Sequence, residues 1–149
     1  MTSPRIIPRP SIVRLVVMAF ASVLLLSSCY GDTEPTQALG ALNWDRSANR
    51  VPIADPHGML QYKAQAWADQ LARENGLRHS RLTDGISGCW RGLAENVGSG
   101  AGIHEIEAAY MGSPAHRLNI LNRNYNYAAV GVAHRGDRVF TVQVFMQSC

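Results

Sequence analysis

The stretch "YAAVGVAHRGDRVFTVQVFMQ" (residues 127–147) decides the fold. Its two halves, 127–134 and 138–147, read as strands. Phe140, Val142, Val144 and Met146 alternate along one face of the second. Gly136 and Asp137 between them supply hairpin turn chemistry. The tripeptide Arg135-Gly136-Asp137 also matches an integrin-type adhesion ligand, but the turn accounts for it without that role.

Upstream of the hairpin the chain reads as helix and loop. "NRNYN" (122–126) is turn chemistry. A helix is expected from Ile103 to Met111, with Ile106 and Tyr110 on one face. The stretch 77–102 reads as loop, with six glycines. The strongest helical pattern runs from His57 to Glu74. Leu60, Ala64, Trp67 and Leu71 form its apolar stripe, Tyr62 and Ala66 widen it, and Gly76 suits a left-handed stop. Trp67 is read as packing rather than as part of a cofactor site. "NRVPIADP" (49–56) reads as a loop, and a further helix is expected from Thr36 or Gln37 to Arg46, with Leu39, Leu42 and Trp44. Helices followed by antiparallel strands make the class α+β.

The amino-terminal end is different. Arg5, Arg9 and Arg14 precede the apolar run "LVVMAFASVLLL" (15–26), and "SSC" ends at Cys29. A basic region, a short apolar run and small residues at a cut site describe an export signal. The run has 12 residues, short of the roughly 20 that a spanning helix needs. "LSSC" (26–29) resembles the lipobox of bacterial lipoproteins, which implies a diacylglyceryl group on Cys29. The expected organisation is a lipoprotein signal over 1–28, a polar tether over 29–36 and one domain over 37–149. Two or more acyl chains hold such a protein stably on a bilayer. It would then be exported, lipid-anchored to the cell membrane, and face away from the cytoplasm.

Those three arginines are the whole excess of 14 basic over 11 acidic residues. The remainder is balanced, Lys63 is its single lysine, and no basic stripe points to a nucleic-acid partner. With Cys29 lipidated, Cys89 and Cys149 are an even pair, expected as one disulfide in an exported domain. The alternative is a catalytic Cys89 near His79.

Within "GSPAHRLNIL" (112–121), Ser113 suits an N-cap and Pro114 the first helical position. His116 then falls in the first turn, where the helix end disfavours imidazolium. A neutral ring with a lone pair for a ligand or metal is expected. His79 lies beside Ser80, and Glu95 sits among apolar residues and glycines, where its charge needs exposure or a partner. Other motifs fail on spacing. "HEIEA" (104–108) has alanine where a zinc protease needs its second histidine, and "GSGAG" (98–102) lacks the spacing of a pyrophosphate cradle. Ser80 and Ser113 have histidine neighbours but no evident acid for a triad.

Together "LARENGLRHS" (71–80), "CWRGLAENVGSG" (89–100), "AAYMGSPAHRLNIL" (108–121) and the closing strand pair resemble a bacterial CAP domain. This is the superfamily of cysteine-rich secretory proteins, antigen 5 and plant pathogenesis-related 1 proteins. The resemblance covers 37–149. It implies a three-layer α-β-α sandwich around a small antiparallel sheet, with a further strand near Gly92–Val97. It also implies a cleft built from His79 of "HS", Glu95 of "ENV" and His116 of "SPAHR". The family's second glutamate does not carry over. Tyr110 matches the aromatic three positions before it, so Ser113 fills the slot, and Glu105 and Glu107 are the substitutes on that helix.

The implied role is binding, of a lipid or sterol-like molecule or of an envelope protein, with no cofactor required. A second expectation uses His79, His116 and Glu95 as ligands of a divalent metal such as Zn²⁺, with water activated for hydrolysis. A third is an envelope interaction protein whose cleft is vestigial.

Overall fold

The structure is a computed structural model that describes residues 33–149. The expected signal, Cys29 and the first part of the tether lie outside the described residues.

Helix α1 covers Glu34–Ala48 and starts two residues before the apolar periodicity does. Pro35 presets its first turn, while Glu34 and Arg46 complement its two ends. Ala38, Leu42 and Arg46 are buried, but Trp44 is 75% exposed. Two residues of the expected 49–56 loop, Asp55–Pro56, form strand β1. Helix α2 covers Gly58–Glu74. Its left-handed stop is Asn75 (φ 53°), one residue before the glycine assigned to it; asparagine tolerates that conformation. Leu60, Ala64 and Leu71 are buried as expected, and Trp67 packs partly against the core. Tyr62 instead stands 80% exposed. Lys63 takes the buried place beside it, with Nζ donating to the carbonyls of Arg81 (2.8 Å) and Asp84 (3.0 Å).

Strand β2, Trp90–Gly100, contains the strand that the family resemblance implied within an otherwise glycine-rich stretch. Helix α3 covers Ile103–Gly112 and helix α4 Pro114–Ile120. The hairpin follows as β3, Tyr127–Arg135, and β4, Arg138–Ser148, with Gly136 at φ 56° in its turn.

The four-stranded sheet has the order β1-β3-β4-β2. The pairs β3–β4 and β4–β2 are antiparallel, and β1 adds a two-residue parallel edge beside β3, which makes the sheet mixed. Phe140, Val142, Val144 and Met146 share one core with Leu60, Ala64, Ala68 and Leu71 of α2. On the opposite face, Val130, Val132, Val139 and Phe145 pack with Leu42 of α1, Ile106 and Tyr110 of α3 and Ile120 of α4. Helices on both faces give the expected α-β-α sandwich.

Cys89 and Cys149 form a disulfide across 60 residues of chain, with Cα atoms 5.4 Å apart, so Cys89 is not a free nucleophile. Peptide mapping of the unreduced protein should return one Cys89–Cys149 linked peptide, and free thiols at both positions would contradict the pairing.

Candidate functional site

The site grows from the middle of β2. Glu95 pairs in register with Val144 of β4, and its side chain is 3% exposed. A carboxylate so buried needs several donors. Ser80 supplies two, its backbone N–H to Oε1 (2.9 Å) and its hydroxyl to Oε2 (2.6 Å). The third is Nδ1 of His79, 2.9 Å from Oε1. The sequence pair His79-Ser80 is therefore a clamp on Glu95. The His79 ring, 61% exposed, is anchored at Nδ1 and leaves its other nitrogen available to a ligand. In its neutral form the ring presents Nε2 as an acceptor.

His116 comes from α4. Its ring tilts against Tyr110 of α3, with centroids 5.1 Å apart. Tyr110 is buried over Gly98, and its hydroxyl meets Thr141 Oγ1 at 2.9 Å. The His116 pKa is lowered, so the neutral ring is favoured as expected. Burial contributes most, followed by the charge of His79. The two imidazoles thus sense each other, although 37 residues separate them in the chain. Ser113 does occupy the N-cap position with Pro114 behind it, yet its hydroxyl makes no capping hydrogen bond.

Next to these residues lies a buried polar network that the sequence did not reveal. Asn96, fully buried next to Glu95 on β2, donates through Nδ2 to Gln143 Oε1 (2.8 Å) and to the His116 carbonyl (3.2 Å). Its Oδ1 accepts from Asn119 Nδ2 of α4 at 2.8 Å. Gln143 of β4 donates in turn to Glu107 Oε2. The only sequence cue was Gln143 on the polar side of an alternating strand, which ordinarily means solvent.

The accessory residues separate. Exposed Glu105 accepts from the backbone N–H of Ala101 (3.3 Å) at the start of α3. Glu107 is buried and reaches Gln143 and Asp45 rather than the cleft. Among the described residues no hydrogen bond joins Glu105, Glu107 or the Ser113 hydroxyl to His79, Glu95 or His116.

The residues fit a metal poorly. Both oxygens of Glu95 are engaged by Ser80 and His79. Among the described residues no group of three or more His, Cys, Asp or Glu is arranged to hold a metal ion. The expected His79, His116 and Glu95 set is not a three-ligand site.

Comparison with known proteins gives the same fold. An extracellular protein containing an SCP domain from Bacillus anthracis is 20% identical with a TM-score of 0.61; the match covers 77% of this chain and 40% of that one. An outer surface protein from Borrelia burgdorferi is 15% identical with a TM-score of 0.62, covering 74% of this chain and 90% of that one. Venom allergen-like protein 4 of Schistosoma mansoni is 11% identical with a TM-score of 0.61, covering 80% and 91%. This chain spans less than half the length of the Bacillus protein. No curated protein matches the sequence. The family model for the cysteine-rich secretory protein family, CAP, matches residues 39–146, so the chain belongs to that family.

Proposed function

We propose that the protein is an exported, lipid-anchored binding module whose cleft of His79, Glu95 and His116 takes up a lipid or sterol-like molecule. The observation that carries this reading is the Glu95 clamp. A buried carboxylate fixes one exposed imidazole, and a second imidazole, kept neutral by burial, stands within its electrostatic reach. Such a pair suits hydrogen bonding to the polar head of an otherwise apolar molecule. Helix α4 also borders an amphipathic groove. Leu118, 73% exposed, lines about 560 Å³ there with Pro114, Leu121, Arg117, Asn119 and Asn122. Export is supported by the signal-like segment, the disulfide, and the extracellular and surface descriptions of the Bacillus and Borrelia proteins. Metal-dependent hydrolysis is not favoured, because the Glu95 oxygens are engaged.

The test uses the full chain in detergent, titrated with a fluorescent fatty acid and a fluorescent sterol. The His79→Gln/His116→Gln double variant should lose binding while its Tm stays close to wild type. Binding that survives the double change would sink the cleft as the site. Intact-mass analysis of membrane-extracted protein should show a diacylglyceryl adduct on a chain that begins at Cys29.

A further inference from the structure

We propose that Glu107 holds a proton at neutral pH, donates it to Asp45, and acts through Gln143 and Asn96 as a positioning residue for the His116 side of the cleft. Glu107 is 7% exposed on α3. Its Oε2 accepts from Gln143. Its Oε1 is buried and, among the described residues, receives no hydrogen bond from any N–H or hydroxyl. The neighbour within hydrogen-bonding reach is the Asp45 carboxyl of α1. Two carboxylates cannot satisfy each other, but a carboxyl and a carboxylate can, so one proton between them removes the orphan.

The two environments place that proton on Glu107. Burial and then the Asp45 charge push Glu107 up to about 8, while burial raises Asp45 too but is partly offset there by the charge of Arg117 of α4 and the hydrogen bond from Glu107. Arg46, also on α1, turns its guanidinium to backbone carbonyls instead. From β2 the remaining charge is Glu95; burial first, and then the charges of Glu107 and Glu95, disfavour ionisation of Tyr110. From β4 the group meeting Glu107 is the neutral Gln143. The path onward to the cleft is the pair of donations from Asn96 Nδ2, to Gln143 and to the His116 carbonyl.

The pH dependence follows from the sign. The unfolded chain gives up this proton near 4.5 and the folded chain near 8. Stability therefore falls as pH rises between those values and levels off above them. In Glu107→Gln, an amide oxygen accepts from Gln143 and an amide N–H donates to Asp45, copying the protonated acid without titrating.

The experiment is side-chain NMR of the full chain in detergent, with Tm measured from pH 5 to pH 9. The Glu107 carboxyl should titrate near 8, and the Asn96 carboxamide signals should move with the same midpoint. Asp45→Asn should lower that midpoint, because an amide can donate to Oε1. Glu107→Gln should lose the alkaline fall in Tm and hold the Asn96 signals at their low-pH positions, whereas Glu107→Ala should be destabilised at every pH. A Glu107 midpoint in the ordinary carboxyl range would overturn the held proton. Asn96 signals blind to that titration would overturn the positioning role, and Glu107→Gln as unstable as Glu107→Ala would reduce the residue to packing. The cleft role rests on the binding reading above, yet none of these readouts needs a lipid. A chain that titrates as expected but binds neither fluorescent probe would refute the binding reading alone.

Discussion

Replacing Gly131 with alanine should collapse the domain's stability, by about 3 kcal/mol or more, because the added methyl has nowhere to go. Gly131 sits mid-strand in β3, on the face that α2 covers. A Cβ there would fall on the carbonyl of Ala64 and within 2.5 Å of Gln65 N. Those atoms are helix backbone and cannot rotate aside. Either α2 lifts off the sheet or β3 bends. Both routes open the core of Leu60, Ala64, Ala68 and Leu71 over Phe140, Val142 and Val144. The neighbouring positions on that face, Ala129 and Ala133, are small as well, and Gln65 spans the contact by accepting from Val132 N and donating to Val132 O. Thermal unfolding followed by circular dichroism should place the Gly131→Ala midpoint on the order of 10 °C or more below wild type. A midpoint within two or three degrees of wild type would mean that α2 does not rest on β3 so closely. Gly40 is the control, since a Cβ there meets nothing within 4 Å and its helical backbone accepts alanine.

The second large effect is expected at Arg46. This guanidinium is fully buried at the end of α1 and is satisfied by carbonyls alone. Nε donates to Pro52 O (2.8 Å), Nη1 to Ile120 O (2.7 Å) and Asn122 O (3.1 Å), and Nη2 to Tyr125 O (2.7 Å). One side chain thus ties α1, the segment before β1, the end of α4 and the turn into β3. Burial lowers its pKa, and the charge of Arg123 adds to that, but the group remains far above neutral pH. Arg46→Met fills much of the volume yet takes the guanidinium donors from four carbonyls, of which Asn122's keeps the Tyr125 N–H, and this costs about 3–5 kcal/mol. Arg46→Lys keeps the charge, but a single ammonium cannot reproduce the planar fork, so it should rescue only part of the loss. Urea unfolding of the three chains gives the order wild type, Lys, Met. A Lys variant as stable as wild type would show that charge rather than geometry is what the carbonyls require.

The sequence disclosed the frame better than the interior. The hairpin, α2 and α3 were legible because each follows one hydrophobic period, and the disulfide because two cysteines remained after Cys29. Strand β2 was not legible from its own residues. Four glycines, Gly92, Gly98, Gly100 and Gly102, punctuate it or flank it, and only the family resemblance placed a strand there. Two of the glycines serve packing, since a Cβ at Gly98 would strike the Tyr110 ring and one at Gly100 would crowd Ile106.

Trp44 and Tyr62 misled in the other direction. Their hydrophobicity suggested core, but their places on α1 and α2 face outward. Thr141 and Gln143 alternate with valines as residues on a wet face would. They are buried because α1, α3 and α4 cover that face too, and each finds its partner on a distant element, Tyr110 or Glu107. Of the three residues read as a site, His79 and Glu95 meet in a hydrogen bond, and His116 feels the charge of His79. What the residues could not show is that Glu95 spends its hydrogen bonds on Ser80 and His79, which makes it a support for the His79 ring.

The order of strands has a consequence for folding. β4 follows both β2 and β3 in the chain yet lies between them in the sheet, and among the described residues β2 pairs with no strand but β4. β2 therefore stays unzipped until β4 has been added. The slow, long-range closure that completes the sheet waits on that addition.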